Sequence, residues 1–155
     1  MPDVSTTRTD LAGLIGQIVL LAGPINALMA RELTLPINDL AALHHLVGLS
    51  PAGPAELGRR LGMSSASATV LADRLERAGY IRRRRDPSDR RRIILEVTDA
   101  TAARSQAVIG PLVEALTKIS DSLDEAAQQD VGTYLTRVIT AMANFAGADV
   151  SEHPS

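Results

Sequence analysis

The chain of 155 residues has no cysteine and no tryptophan. Disulfides, thiolate metal sites and thiol-based redox sensing are therefore excluded. Its only aromatic residues are Tyr80, Tyr134 and Phe145, while alanine, leucine, isoleucine and valine abound. That balance favours helices over an aromatic-rich sandwich or barrel. No phosphate-binding loop, dinucleotide fingerprint or zinc-ligand spacing is present. The run Gly48-Leu49-Ser50-Pro51-Ala52-Gly53 is not a G-x-S-x-G nucleophile elbow, because its second glycine comes one position late and no strand precedes it. His44 and His45 are adjacent on a helix, so they point about 100° apart and cannot chelate one metal together. Asp124-Glu125 reads as a pair of helix-start acids that favour the dipole. With no assembled catalytic set, the chain is not expected to be an enzyme or to hold a cofactor or metal.

Positive charge, by contrast, is abundant in one place. Eleven of the sixteen basic residues lie between Arg59 and Arg92, opposed there only by Asp73, Glu76, Asp86 and Asp89. That stretch carries +7 in a chain of net charge −2, leaving −9 for everything else. Such a gathering points to a polyanion, nucleic acid first. The same length of sequence suits one domain, or one compact domain plus an oligomerisation element.

Leu11 to Ala30 contains no charged residue and ends Ala27-Leu28-Met29-Ala30, which imitates a signal cleavage site. Asp3, Arg8 and Asp10 before it leave no positive n-region. Its glycines, Gln17, Pro24 and Asn26 make it too weakly apolar for a confident membrane span. Leu11, Leu14, Ile15, Ile18, Leu21, Ile25, Leu28 and Met29 repeat at three and four, one wide helix face to be buried against protein. No membrane partner is expected, and a cytoplasmic location is.

The pattern predicts a first helix from about Thr9 to Arg31 with a kink at Gly23-Pro24. A second follows Pro36, and Gly48 to Gly53 forms a turn. Pro54 to Leu61 is a short helix ended by Gly62-Met63. Ser64 caps the next, which runs to Ala78 and stops at Gly79. The period then changes to strand-like over Tyr80–Arg85 and Arg91–Val97, with Asp86-Pro87-Ser88-Asp89 as the turn. Helix returns from Asp99 to about Ile119, with a bend at Gly110-Pro111. A last helix opens with Ser122-Leu123-Asp124-Glu125, read as a capping box, and the polar tail 147–155 is expected to be disordered. The fold class is thus mainly α with a small β-wing.

Two short helices joined by a tight turn and followed by a β-hairpin make a winged helix-turn-helix. In its second helix Ala68, Leu71, Ala72 and Leu75 form the anchoring face. Ser65, Ala66, Thr69, Val70 and Asp73 face outward, with Ser67 at the margin. Hydroxyls can donate or accept at bases or phosphates, small side chains allow close approach, and the helix N-terminus beginning at Ser64 suits a phosphate. Pro36 to Thr98 resembles the core of the MarR family, the multiple-antibiotic-resistance regulators. The resemblance is carried by LTLPINDLAALHHL, AELGRRLGMSSASATVLADRLERAGYIRR and DPSDRRRIILEVT, the last close to the family's wing signature. It extends more loosely over about Leu11 to Phe145.

The resemblance implies that Arg91 enters the minor groove, that Asp89 steers it, and that Ser65, Ser67 and Thr69 belong to the groove-reading part of the helix. Val70 stands where relatives often carry a polar or basic residue, so apolar contact with a thymine methyl would replace a hydrogen bond. Val97, and Ala100-Thr101 in place of an acid-glycine pair, loosen the ends of the signature. Arg59, Arg60 and the wing arginines, Arg83 and Arg90 among them, are candidates for phosphate contacts. The run Arg82–Arg85 is read either as a solvated strand edge or as a DNA surface that about half of its side chains reach. Arg74 braces the domain or meets a phosphate, and Asp73 and Glu76 pair with Arg77 or with arginines of the wing. Asp89 is a turn residue, a steering acid, or both.

The expectation is a homodimeric, sequence-specific transcriptional regulator, a repressor, on double-stranded DNA with a pseudo-palindromic operator. Residues 36–98 would form its DNA-binding part, and 9–33 with 99–146 its dimerisation helices. By resemblance, a small anionic or aromatic effector would sit between these parts, with His44 or His45 as candidate lining residues. The alternative is a winged-helix module that binds protein through its basic face without specific DNA readout.

Overall fold

The computed structural model describes residues 9–48 and 52–147. Six helices and one hairpin follow in order: α1 (Leu11–Leu33), α2 (Ile37–Gly48), α3 (Pro54–Arg60), α4 (Ser65–Arg77), β1 (Ile81–Arg85), β2 (Ile93–Val97), α5 (Asp99–Asp121) and α6 (Glu125–Ala146). The predicted turn at 48–53 falls partly, and the predicted tail almost wholly, outside the described residues.

Helix ends are set by local chemistry. Asp10, Ser64, Thr98 and Asp124 each accept the amide three residues on, the arrangement that satisfies an otherwise orphaned helix N–H. At Gly62 and Gly79 the backbone turns left-handed, φ 65° and 79°. The amides that follow return to Gly58 and Arg59, and to Leu75 and Glu76, closing α3 and α4. The expected capping box at Ser122 is corrected by the structure. Ser122 closes α5, its hydroxyl donating to the Ile119 carbonyl at 2.6 Å, and Asp124 is the cap of α6. The i+3 spacing suited either residue, and the last turn of α5 claimed the serine. Pro24 and Pro111 both lie inside continuous helices.

The core is built from Leu33, Leu40, Leu43, Leu57, Leu75 and Ile81, with Leu71, Ala72 and Leu95 around them. It unites α2, α3, α4 and the hairpin with the C-terminal end of α1. β1 and β2 are antiparallel with Arg82 opposite Glu96 and Arg85 opposite Ile93. Ala52 adds a bridge to Leu95, its carbonyl accepting the Leu95 amide at 2.8 Å. The Tyr80 hydroxyl lies 2.8 Å from the Leu33 carbonyl and 3.2 Å from that of Thr34, tying the exit of α1 to the start of the hairpin. Thr34 itself is left-handed, φ 60°.

Outside this core the long helices are bare. Leu14, Ile18, Leu20 and Leu21 of α1 are exposed, Leu20 to 77%. Leu112, Leu116 and Ile119 of α5, and Val131, Leu135, Ile139 and Met142 of α6, are likewise exposed, and Phe145 is 96% so. Sequence patterning made α1 too weakly apolar for a membrane span. By length and composition alone it is apolar enough, with a mean hydropathy of 1.8, and none of that window is buried in the chain.

Candidate nucleic-acid interface

α3 and α4 cross closely because Gly58 lacks a side chain. A Cβ there would stand 2.8 Å from the Ala68 Cβ and 3.2 Å from the Met63 carbonyl oxygen. That approach fixes the angle at which α4 leaves the turn. Ala68, Leu71, Ala72 and Leu75 are buried beneath it, as the three-four spacing requires. Ser64, Ser65, Ser67, Thr69 and Val70 are all exposed. Their hydroxyls are partly engaged within the helix. Ser64 Oγ donates to Ser67 Oγ at 2.9 Å and accepts the Ser67 amide at 3.1 Å, and Thr69 Oγ1 donates to the Ser65 carbonyl at 2.9 Å.

The eleven arginines divide sharply by partner. Arg59 and Arg60 both reach Glu56, at 2.7 and 2.9 Å. Arg74 makes a two-pronged pair with the buried Asp39, Nε at 2.9 Å and Nη2 at 2.5 Å. That is a brace between α4 and α2, the first of its two expected roles. Arg82 and Arg84, on one face of β1, share Glu96 at 3.0 and 2.5 Å. Arg83, on the other face with the buried Ile81, grips Asp73 at 2.5 Å and Glu76. Glu76 also accepts the Arg83 backbone amide at 3.2 Å. Arg92 lies 3.8 Å from Asp86. Among the described residues, Arg77, Arg85, Arg90 and Arg91 have no carboxylate partner.

Proton affinities follow these pairings. Arg83 is raised by its hydrogen bond to Asp73 and by Glu76, and Arg74 by its bond to Asp39. Glu96 is held below its ordinary 4.5 by the Arg82 hydrogen bond, then by Arg84.

The wing turn is organised by two aspartates. Asp86 Oδ1 accepts the Ser88 amide at 2.8 Å and the Ser88 hydroxyl at 2.9 Å, bonds that depress its pKa. Asp89 Oδ1 accepts the Arg91 amide at 3.0 Å. Asp89 is thus a turn residue whose carboxylate positions residue 91 through its backbone. The loop leaves Arg90 and Arg91 exposed at its tip, beside an open recess of about 400 Å³ lined by Arg84, Arg85, Asp86, Pro87 and Arg90. Sequence reasoning named Arg77 only as a candidate partner of Asp73 or Glu76, and Arg85 only as one of the run Arg82–Arg85. Arg85 could have been found from hairpin register, because it faces Ile93 and not an acid.

His44 and His45 lie on α2 away from this surface. Burial lowers the pKa of both, and for His45 Arg60 and His44 lower it further. His45 Nδ1 is buried without a partner. A neutral ring protonated on Nε2 leaves that atom a bare acceptor, the cheaper way to bury it. Among the described residues no group of histidines and carboxylates could hold a metal ion.

Residues 33–92 match the sequence model of the MarR family. The chain is 39% identical over 85 residues to the uncharacterized HTH-type transcriptional regulator YcgE of Bacillus subtilis, 55% of each protein. It is 46% identical over 46 residues to the transcriptional repressor MprA of Escherichia coli, 30% of this chain and 26% of that protein. The chain thus spans about half the length, or less, of the curated relatives it matches. Among solved structures, a mutant of MepR from Staphylococcus aureus superposes with a TM-score of 0.62 at 15% identity, over 88% of this chain and 99% of that one. Another MepR mutant, bound to an oligodeoxyribonucleotide, superposes at 0.52 and 17% identity, over 87% and 99%. The likeness to MepR is one of fold.

Proposed function

We propose that this chain is a homodimeric, sequence-specific DNA-binding transcriptional repressor of the MarR family, whose sequence model its residues 33–92 match. The observation that carries the reading is the division of the arginines. Charge is neutralised where α4 and the strands must be held together, and left unpaired at the wing tip, where Arg90 and Arg91 are exposed and Arg90 shares a recess with Arg85. A structural wing needs no unpaired guanidinium at its tip, whereas a wing lying along a duplex does. α4 would enter the major groove, with Ser65, Ser67, Thr69 and Val70 toward the bases and the Ser64 end toward a phosphate. Arg91 would enter the minor groove, placed by Asp89, and Arg90 would neutralise a phosphate.

Arg83 and Arg74 are proposed as positioning residues. One fixes the wing to α4 and the other fixes α4 to α2. The exposed apolar faces of α1, α5 and α6 would form the dimer lobe, setting two α4 helices about one DNA turn apart. MprA, a repressor by name, supports the sign of regulation. A small anionic or aromatic effector would act by binding the two spacings of these helices with different affinity, and His45 is the lining residue to test.

The deciding experiment is selection of duplex fragments from a genomic library by the purified full chain, with Arg91→Ala run alongside. An inverted repeat enriched by the wild type, and bound about tenfold or more weakly by Arg91→Ala, is the expected result. Equal retention of all fragments by both proteins would overturn the reading in favour of a protein-binding module.

A further inference from the structure

We infer that α4 recognises the 5-methyl groups of thymine through an apolar strip, Ala66 and Val70 with Met63 beside them, and that hydroxyl contacts to base edges are secondary. The inference rests on the DNA-reading function proposed above and specifies what that site reads.

The buried residues Ala68, Leu71, Ala72 and Leu75 define the anchored side of α4. At about 100° per residue, the ridge directly opposite is made by Ala66, Val70, Asp73 and Arg77. Ser65, Ser67 and Thr69 lie on its flanks. Val70 is 63% exposed and Met63 37%. A β-branched residue at mid-helix with nothing packed on it lowers helix propensity and adds no core, so folding alone does not account for it.

Of the polar neighbours, all but the Ser65 side chain already take part in a hydrogen bond or ion pair. Thr69 donates to the Ser65 carbonyl, and Ser64 donates to Ser67. Asp73 is held by Arg83, and Arg74 by Asp39. In its first two turns the ridge therefore presents methyl groups. Beside it lies an open hollow of about 410 Å³ lined by Met63, Ala66, Ser67, Val70, Leu71 and Arg74. In the major groove the thymine methyl is the one apolar group that a base pair displays. Arg77, unpaired on the same ridge, supplies a charge for the adjoining backbone.

The test selects a bound site from a random duplex library and then replaces each thymine in that site by deoxyuridine, one at a time. Removing the methyl at one or two positions in each half-site is expected to weaken wild-type binding about threefold to fourfold, the factor for burial of one such group. Val70→Ala should lose that discrimination at one of those positions. Arg91→Ala should bind more weakly throughout and keep the same thymine-to-uracil ratio. A selected site indifferent to uracil everywhere, or Val70→Ala with undiminished discrimination, would overturn the inference and leave DNA reading intact. A library with no enriched sequence would overturn the function on which it rests.

Discussion

At the scale of the residue, the arginines show how little a charge count says about what a surface can bind. Arg82 and Arg84 sit on one face of β1 and share a single glutamate. Arg83, between them, turns inward to two carboxylates of α4, and Arg85 and the wing-tip pair have none. A phosphate contact contributes about 0.9 to the slope of log affinity against log salt. Arg90→Ala is therefore expected to lower that slope by about one in binding titrations between 50 and 200 mM salt, and Arg91→Ala to lower it similarly, because a cation in the minor groove also displaces counterions. Arg82→Ala should leave it nearly unchanged, because its charge is already matched by Glu96 and by Asp99 at the start of α5. A slope equally sensitive to all three would mean that the hairpin's ion pairs open on the duplex.

At the scale of the element, the helices and strands were legible in the sequence because each carries its own period and its own punctuation. The three-four repeat of Ala68, Leu71, Ala72 and Leu75, the cap at Ser64 and the glycines at 62 and 79 locate α4 to within a residue. The alternation Ile93, Leu95, Val97 locates the end of β2, whose start at Ile93 lies two residues after the expected Arg91. The partners of charged side chains were less legible: a wing arginine is one of two expected partners for Asp73 and Glu76, but the sequence does not pick out Arg83. Asp39 and Arg74 are thirty-five positions apart and meet only because α2 and α4 are neighbours. Glu76 looks toward Arg83 because β1 folds back along α4, which no spacing rule encodes. At Ser122 two overlapping cap signals competed, and the residue nearer the preceding helix was taken by it. The crossing of α3 and α4 rests on the missing side chain at 58. Gly58→Ala is expected to destabilise the chain by about 1–3 kcal/mol, the cost of overpacking a tight contact. Thermal and urea melts measure it, and an unchanged midpoint would show that the two helices can slide apart freely.

At the scale of the whole molecule, the chain is divided between a finished half and an unfinished one. The winged part closes around its own core. α1, α5 and α6 carry leucines and isoleucines that are left exposed among the described residues. Contiguous exposed apolar surface of this kind marks an interaction site. A second copy supplies a matching surface by symmetry. Light scattering of the purified chain should give about twice the 16.4 kDa of one copy. Ile18→Glu should shift it to the single mass with little loss of helicity, since Ile18 is exposed in one chain, lies on the apolar face of α1, and a charge in the interface would be unpaired. A wild type that stays monomeric at micromolar concentration would remove the dimer from the proposal.

The two halves meet where the end of α1 enters the core through Leu33, with Arg104 bonded to the Glu32 carbonyl and the Tyr80 phenol as a further tie. Tyr80 donates its hydroxyl to the last carbonyls at the exit of α1, so the direction in which that helix departs is set from the hairpin side. A helix of 23 residues is a lever about 35 Å long. A swing of about 10° at the joint moves its far end by about 6 Å, close to two base-pair steps of about 3.4 Å each. In a dimer hinged this way, the Tyr80 hydroxyl would help to set how strictly the two reading heads keep their separation. Tyr80→Phe would keep the ring and lose the latch, giving a protein that still binds each half-site and tolerates operators of more than one length.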